Sequence, residues 1–390
     1  MKMISRRPLL LLLGFVFLVR TAFGSEETSV RSGLLVYVGT ASYTGQVSKS
    51  IFAFRFNPQT GQLGPLGVVG EADNPGFLAI HPNQRYLYAV NETGNQVAQN
   101  GGAISAFAID SKTGKLKLLN KVPSHGAHPC YLTVDKTGKY VVVANYFGGT
   151  VESFPVRENG QLGEAVSVVK HSGSSVNKER QEAPHPHGVR LSPDNGLAVA
   201  ADLGIDKLMV YRFGSKDGSL TSSNPPFAEL PPGSGPRHLA FSPNGKFVYV
   251  VNELKSSVSA FSCDPAAGTL RLLHTISTLP KDFKSENSGA EIEVSPLGKA
   301  LYVSNRGHDS IAVFSIDATK GTLTPVEHVS TQGKTPRNFA IDPSGSFLIA
   351  TNQDSQNLVL FRIDNKTARL SPTGQVVKIA SAPVCVVFAR

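Results

Sequence analysis

One pattern recurs along the chain and limits what it can fold into more than any other feature. An apolar strand opened by proline runs into a P-x-G-K-like turn, and a second apolar strand follows that ends in Asn. The copies are PGFLAIHPNQRYLYAVNE from Pro75, PCYLTVDKTGKYVVVANY from Pro129, PHGVRLSPDNGLAVAAD from Pro186, PRHLAFSPNGKFVYVVNE from Pro236, GAEIEVSPLGKALYVSNR from Gly289 and PRNFAIDPSGSFLIATNQ from Pro336. Their starts lie 47 to 57 residues apart. A third strand and a T-G-x-L turn into a fourth fill each interval. Four short strands in a unit of this length predict a β-propeller. The abundance of turn formers, Gly 37 and Pro 25, agrees with many short elements.

The chain ends complete the ring. Pro383 to Phe388 read as a first strand with no successor, and LLVYVGT from Leu34 as a second strand with no predecessor. Paired, they make one more blade and remove an open edge that would invite aggregation. The expectation is therefore an all-β fold: a seven-bladed β-propeller, four antiparallel strands per blade, closed by the C-terminal strand against the N-terminal segment. A β-sandwich array is the rival, but it gives no reason for a split blade.

In an up-and-down blade the start of the first strand and the end of the second lie on one face, so these slots from every blade converge on one mouth of the channel. A residue that the blade needs recurs in many copies; one that chemistry needs is particular to a few. The terminal slot holds Asn91, Asn145, Asp202, Asn252, Asn305 and Asn352, which reads as structural, a side chain bonding the following turn. The next slot varies, with Glu92, Tyr146, Leu203, Glu253, Arg306 and Gln353. The slots after the opening proline also vary, and their ionisable members fall in four consecutive blades. The convergent set is His185 and His187, Arg237 and His238, Glu253, Glu291, Arg306 and Arg337. Arginine forks bind carboxylate or phosphate bidentately, while His or Glu moves a proton. Such a set suits an anionic substrate that undergoes acid/base chemistry. His308 and Asp309, in SNRGHDS, read as loop-shaping residues.

Residues 1–24 combine Lys2, Arg6 and Arg7, an apolar run from Leu9 to Val19 and small residues at Ala22 and Gly24, the layout of a cleaved export signal. The apolar run is short of the roughly 20 residues a spanning helix needs. Residues 25–390 then form one domain, periplasmic or secreted, with no membrane partner after cleavage. Loss of Lys2, Arg6, Arg7 and Arg20 takes the formal charge from +9 to +5. Dense Lys/Arg blocks are absent, so nucleic acid is not an expected partner and a small anion is. Cys130, Cys263 and Cys385 are odd in number and have no C-x-x-C spacing, so neither a disulfide framework nor a zinc site is expected. No G-x-S-x-G elbow, H-E-x-x-H helix or P-loop is present. Neither a metal nor an organic cofactor is expected; a calcium-dependent hydrolase would want more Asp, Glu and Asn at the channel centre.

The phrases APHPHGVRLSPD, GPRHLAFSPNGKFVYVVNEL, GAEIEVSP, YVSNRGHDSIAVF and GKTPRNFAIDPSGSFLIATNQDSQNLVLF resemble the seven-bladed lactonase family, which includes propeller-type 6-phosphogluconolactonases and carboxy-cis,cis-muconate cyclase. The resemblance covers essentially all of the chain after the leader. It implies an active set of His187, Arg237, Glu253 and either Arg306 or Arg337, with Glu253 or His187 activating water. His185, His238, Glu291 and Arg337 are then expected around the substrate. The expected activity is hydrolysis of a sugar-derived or other anionic lactone. A lactonising cycloisomerase and a non-catalytic binding propeller are the alternatives.

Overall fold

The computed structural model describes residues 33–44, 46–94 and 101–390. The expected export signal lies outside the described residues. Among these residues 28 strands form seven four-stranded antiparallel sheets, and no helix occurs. Blades one to six open with the strands Leu78–Ile80, Pro129–Val134, Pro186–Leu191, Pro236–Phe241, Ser288–Val294 and Pro336–Ile341. The seventh blade is the split one: Pro383–Ala389 pairs antiparallel with Leu34–Thr40, setting Val386 opposite Val38 and Phe388 opposite Val36.

The alternation within each strand divides its side chains between two neighbours. In Phe247–Asn252 of blade four, Val248 and Val250 join an apolar cluster with blade three, while Phe247, Tyr249 and Val251 join one with blade five. Both faces are covered, so the strand is buried along its whole length, and the core is a series of layers between blades. The T-G turns lock these layers. Gly321 of blade five has φ +70° and sits against the ring of Phe247 in blade four, where a Cβ would lie 2.2 Å from a ring carbon. Only glycine fits both that backbone and that approach.

The conserved-looking Asn slot is buried in every copy, but its bonds differ from the expected turn closure. Asp202 does accept from the backbone of Gly204 at 3.0 Å. Asn145 and Asn252 instead donate to hydroxyls on the next strand, Thr150 at 2.9 Å and Ser257 at 3.0 Å. Asn305 and Asn352 reach back to the carbonyls of Thr278 and Thr331. The side chain therefore ties strand two to its neighbours: in these four Asn copies the buried amide nitrogen finds a partner, while the oxygens of Asn145, Asn252 and Asn352 have none among the described residues.

Ring closure carries a direct test. Removal of residues 383–390 leaves the Leu34–Thr40 strand as an apolar edge and takes the paired strand from Val36, Tyr37 and Val38, all 0% exposed. The truncated chain is expected to aggregate. Size-exclusion chromatography and thermal melting check this, and a monomer with the parent melting temperature would contradict it.

Candidate active site

The slots at the start of strand one and the end of strand two do meet at one mouth, around a cavity of about 790 Å³. His185, His187, Glu253, Arg306 and Arg337 line it. Glu253 is its anchor. Arg306 Nη2 lies 2.9 Å from its Oε2 and Arg237 Nε 3.1 Å from the same oxygen, while Arg180 Nη2 lies 2.8 Å from Oε1. Burial alone would raise the Glu253 carboxyl, but the surrounding Arg306, Arg237, His187 and Arg180 outweigh it and hold the group well below the usual carboxylate range. Glu253 is thus a firm anion and a poor proton acceptor. Burial among like charges pulls Arg306 down to about 10 and lowers Arg237 as well. Arg237 also donates to the carbonyl of Ala290 at 2.8 Å.

Arg337 differs from these. Its guanidinium lies over the Tyr43 ring, 4.6 Å from the centroid, and forms no ion pair or hydrogen bond among the described residues. It faces the cavity as a held but uncommitted cation. His187 is kept neutral, because burial first and then Arg237 and His238 push its imidazolium well below the ordinary range. Its Nδ1 lies 3.7 Å from the Cys130 thiol. His185 is pinned: Nδ1 faces the Tyr146 carbonyl at 3.1 Å, Nε2 faces Glu182 at 3.1 Å, and the ring stacks on Tyr146 at 4.4 Å.

His238 and Glu291 belong to the same slots but lie beneath this cavity, not in its lining. The imidazole Nδ1 of His238 is 3.2 Å from both carboxyl oxygens of Glu291, and both side chains are at most 3% exposed. Glu291 opens instead onto a second cavity of about 340 Å³, lined also by Arg190, Glu293 and Asn338. Burial, only partly offset by Arg190, pushes the Glu291 carboxyl up to about 7. The reason is periodicity. Successive residues of strand one point different ways, so the second slot after the proline faces down the channel when the first faces the mouth.

Among the further residues that line the cavity, four bear on its chemistry. Glu92 occupies the slot that Glu253 occupies in blade four, and its recurrence there was the available signal. His128 stands just before the opening Pro129, one place outside the slots compared. Tyr43 comes from the split blade, and Arg180 from the polar insertion KHSGSSVNKERQEA, which no repeat copy predicts. His308 and Asp309 shape their loop as expected: Nδ1 of His308 contacts the Ser310 hydroxyl at 2.7 Å, and Asp309 accepts from the amide of Thr335 at 2.8 Å. The cysteines are free and buried. Among the described residues no group of three or more His, Cys, Asp or Glu could hold a metal ion.

The fold and this mouth define a propeller whose mouth cavity sets arginines, carboxylates and imidazoles around a small ligand. The chain belongs to the seven-bladed β-propeller lactonase family, whose model matches residues 35–388. It is 40% identical over 352 residues to a 6-phosphogluconolactonase of Bacillus subtilis, covering 90% of this chain and 97% of the relative. It is 39% identical over 300 residues to a 6-phosphogluconolactonase of Formosa agariphila, covering 76% and 83%. Among solved structures, the periplasmic gluconolactonase of Pseudomonas aeruginosa superposes with a TM-score of 0.84 at 34% identity, over 92% of this chain and 99% of that one.

Proposed function

We propose that this protein hydrolyses a small lactone carrying an anionic group, and that it does so after export. The observation that carries the reading is Arg337, a guanidinium in the cavity with no ion pair among the described residues. Arg306 and Arg237 are already paired with Glu253, which leaves Arg337 for a substrate carboxylate or phosphate, or for the carbonyl oxygen as it gains charge. Glu253 serves as the post that aligns the arginines. Both groups expected to act on water are held as weak bases, Glu253 by its arginines and His187 by burial, so the neutral His187 serves as a hydrogen-bonding partner for the lactone. The names of the Bacillus and Formosa relatives support a phosphorylated sugar lactone, and the Pseudomonas neighbour supports the periplasm.

The test is hydrolysis of 6-phosphogluconolactone, glucono-1,5-lactone and uncharged alkyl lactones, read against spontaneous opening. Catalysis of at least one sugar lactone is expected, with preference for a charged one. No acceleration on any of them would defeat the hydrolase reading. Fractionation of cells making the full chain, with N-terminal sequencing, tests export; a cytoplasmic product that retains Met1 would count against it.

A further inference from the structure

Lactone hydrolysis moves a proton off water and a proton onto the ring oxygen, and neither Glu253, held as an anion, nor His187, held neutral, is well placed to carry it between the two. A proton on His187 would sit beside Arg237, His238 and Arg337. Elsewhere in the lining stands an imidazole with a carboxylate in ion-pair contact. His128 Nδ1 lies 3.2 Å from Glu92 Oε1, and the Tyr43 hydroxyl donates to the other oxygen at 3.0 Å. Glu92 is 4% exposed, and its seat is cut into blade one: a Cβ on Gly76 would lie 2.0 Å from Glu92 Oε2. His128 keeps φ +60°, a left-handed conformation that costs energy in a residue other than glycine and that clusters at functional sites. Two backbone bonds hold it there, from its amide to the Thr93 carbonyl at 2.8 Å and from the Tyr146 amide to its own carbonyl at 2.9 Å. Nδ1 is buried beside the carboxylate without an aligned hydrogen bond, and Nε2, with no partner among the described residues, is left for the cavity that the residue lines.

We infer that His128, backed by Glu92, is the catalytic residue that takes the proton from the attacking water. The inference rests on the hydrolase reading. As the water oxygen bonds to the lactone carbonyl carbon, its proton passes to His128 Nε2 and the carbonyl oxygen becomes an oxyanion facing arginine. As the carbon–ring oxygen bond breaks, the same proton passes to the ring oxygen, giving the hydroxy acid and the neutral imidazole. Glu92 is a positioning residue: it orients the ring and offsets the transient imidazolium. The charged and titratable groups facing His128 are Glu92, Arg337, Tyr43 and Tyr146. Burial lowers its imidazolium and Arg337 adds to this, while Glu92 opposes both, so the ring is neutral and ready to accept at pH 7.

The experiment uses the best lactone of the panel and two variants, each checked by thermal melting. His128→Asn keeps a residue that tolerates positive φ. Its kcat is expected to fall about 100-fold or more with KM nearly unchanged. Glu92→Gln removes the charge that favours the imidazolium, so the acid limb of the kcat/KM profile is expected to move to lower pH. A folded His128→Asn that keeps more than about a tenth of wild-type kcat, or that loses activity through KM alone, overturns the inference, on the same scale of effect. So does an acid limb that stays in place in Glu92→Gln. A wild type inert on every lactone defeats the hydrolase reading and this inference together, whereas an active wild type with unaffected variants defeats this inference alone.

Discussion

Glu253→Gln is expected to lose both activity and stability. Among the described residues Glu253 is the carboxylate in ion-pair contact with the Arg306 and Arg237 side chains, which are 13% and 3% exposed. Breaking a buried pair from one side costs about 3–5 kcal/mol, because the remaining charge is left uncompensated. Arg180, 43% exposed, contributes little to that figure, since water screens it. The arginines also lose their alignment, so kcat/KM is expected to fall by about 100-fold or more, the loss of one well-placed charge contact. Thermal melting and steady-state kinetics on the same preparation check the two effects. A variant that melts and turns over like the wild type would show that Glu253 does not organise the cavity.

Arg337→Ala is expected to separate those two effects. This guanidinium gives up a contact with the Tyr43 ring and no ion pair, so the melting temperature should hardly change. If it binds the charge of the substrate, kcat/KM for an anionic lactone should fall by about 100- to 1000-fold, the loss of roughly 3–4 kcal/mol. An uncharged lactone should lose much less if the contact is to the anionic group, and as much if it is to the carbonyl oxygen. Equal, small effects on both substrates would leave Arg337 without a role. Arg306→Ala, by contrast, should damage stability as well, because it strips a partner from Glu253.

The different fates of these residues show what could be read in advance. The repeat carried the whole architecture, because turn chemistry, strand alternation and the unpaired end strands all pointed to one closed ring. It also brought Glu253, Arg306, Arg337 and His187 to one mouth, since slot position is a property of the blade. It could not tell His238 and Glu291 from their neighbours, because a one-residue step along a strand turns the side chain elsewhere, and here that means beneath the floor. The expected four-blade cluster was too narrow: Glu92 and His128 come from blades one and two and Tyr43 from blade seven. Arg180 was out of reach of any repeat comparison, since it reaches Glu253 from an insertion with no counterpart in other blades. The split of arginines into committed and uncommitted is likewise invisible in one dimension, because it depends on which guanidinium has a carboxylate within reach.

The pairing of Pro383–Ala389 with Leu34–Thr40 has a consequence for how the chain comes to be folded. The strand that locks the ring is synthesised after the other six blades, and its partner precedes them all. Six blades have all their strands from contiguous chain and can assemble in the order of synthesis, while the seventh waits for the final residues. Bringing such distant segments together is entropically slow, so closure is the natural late step of folding. The protein is therefore expected to reach an open, six-bladed arc first, and to acquire its full resistance to unfolding only when the two ends of the chain meet.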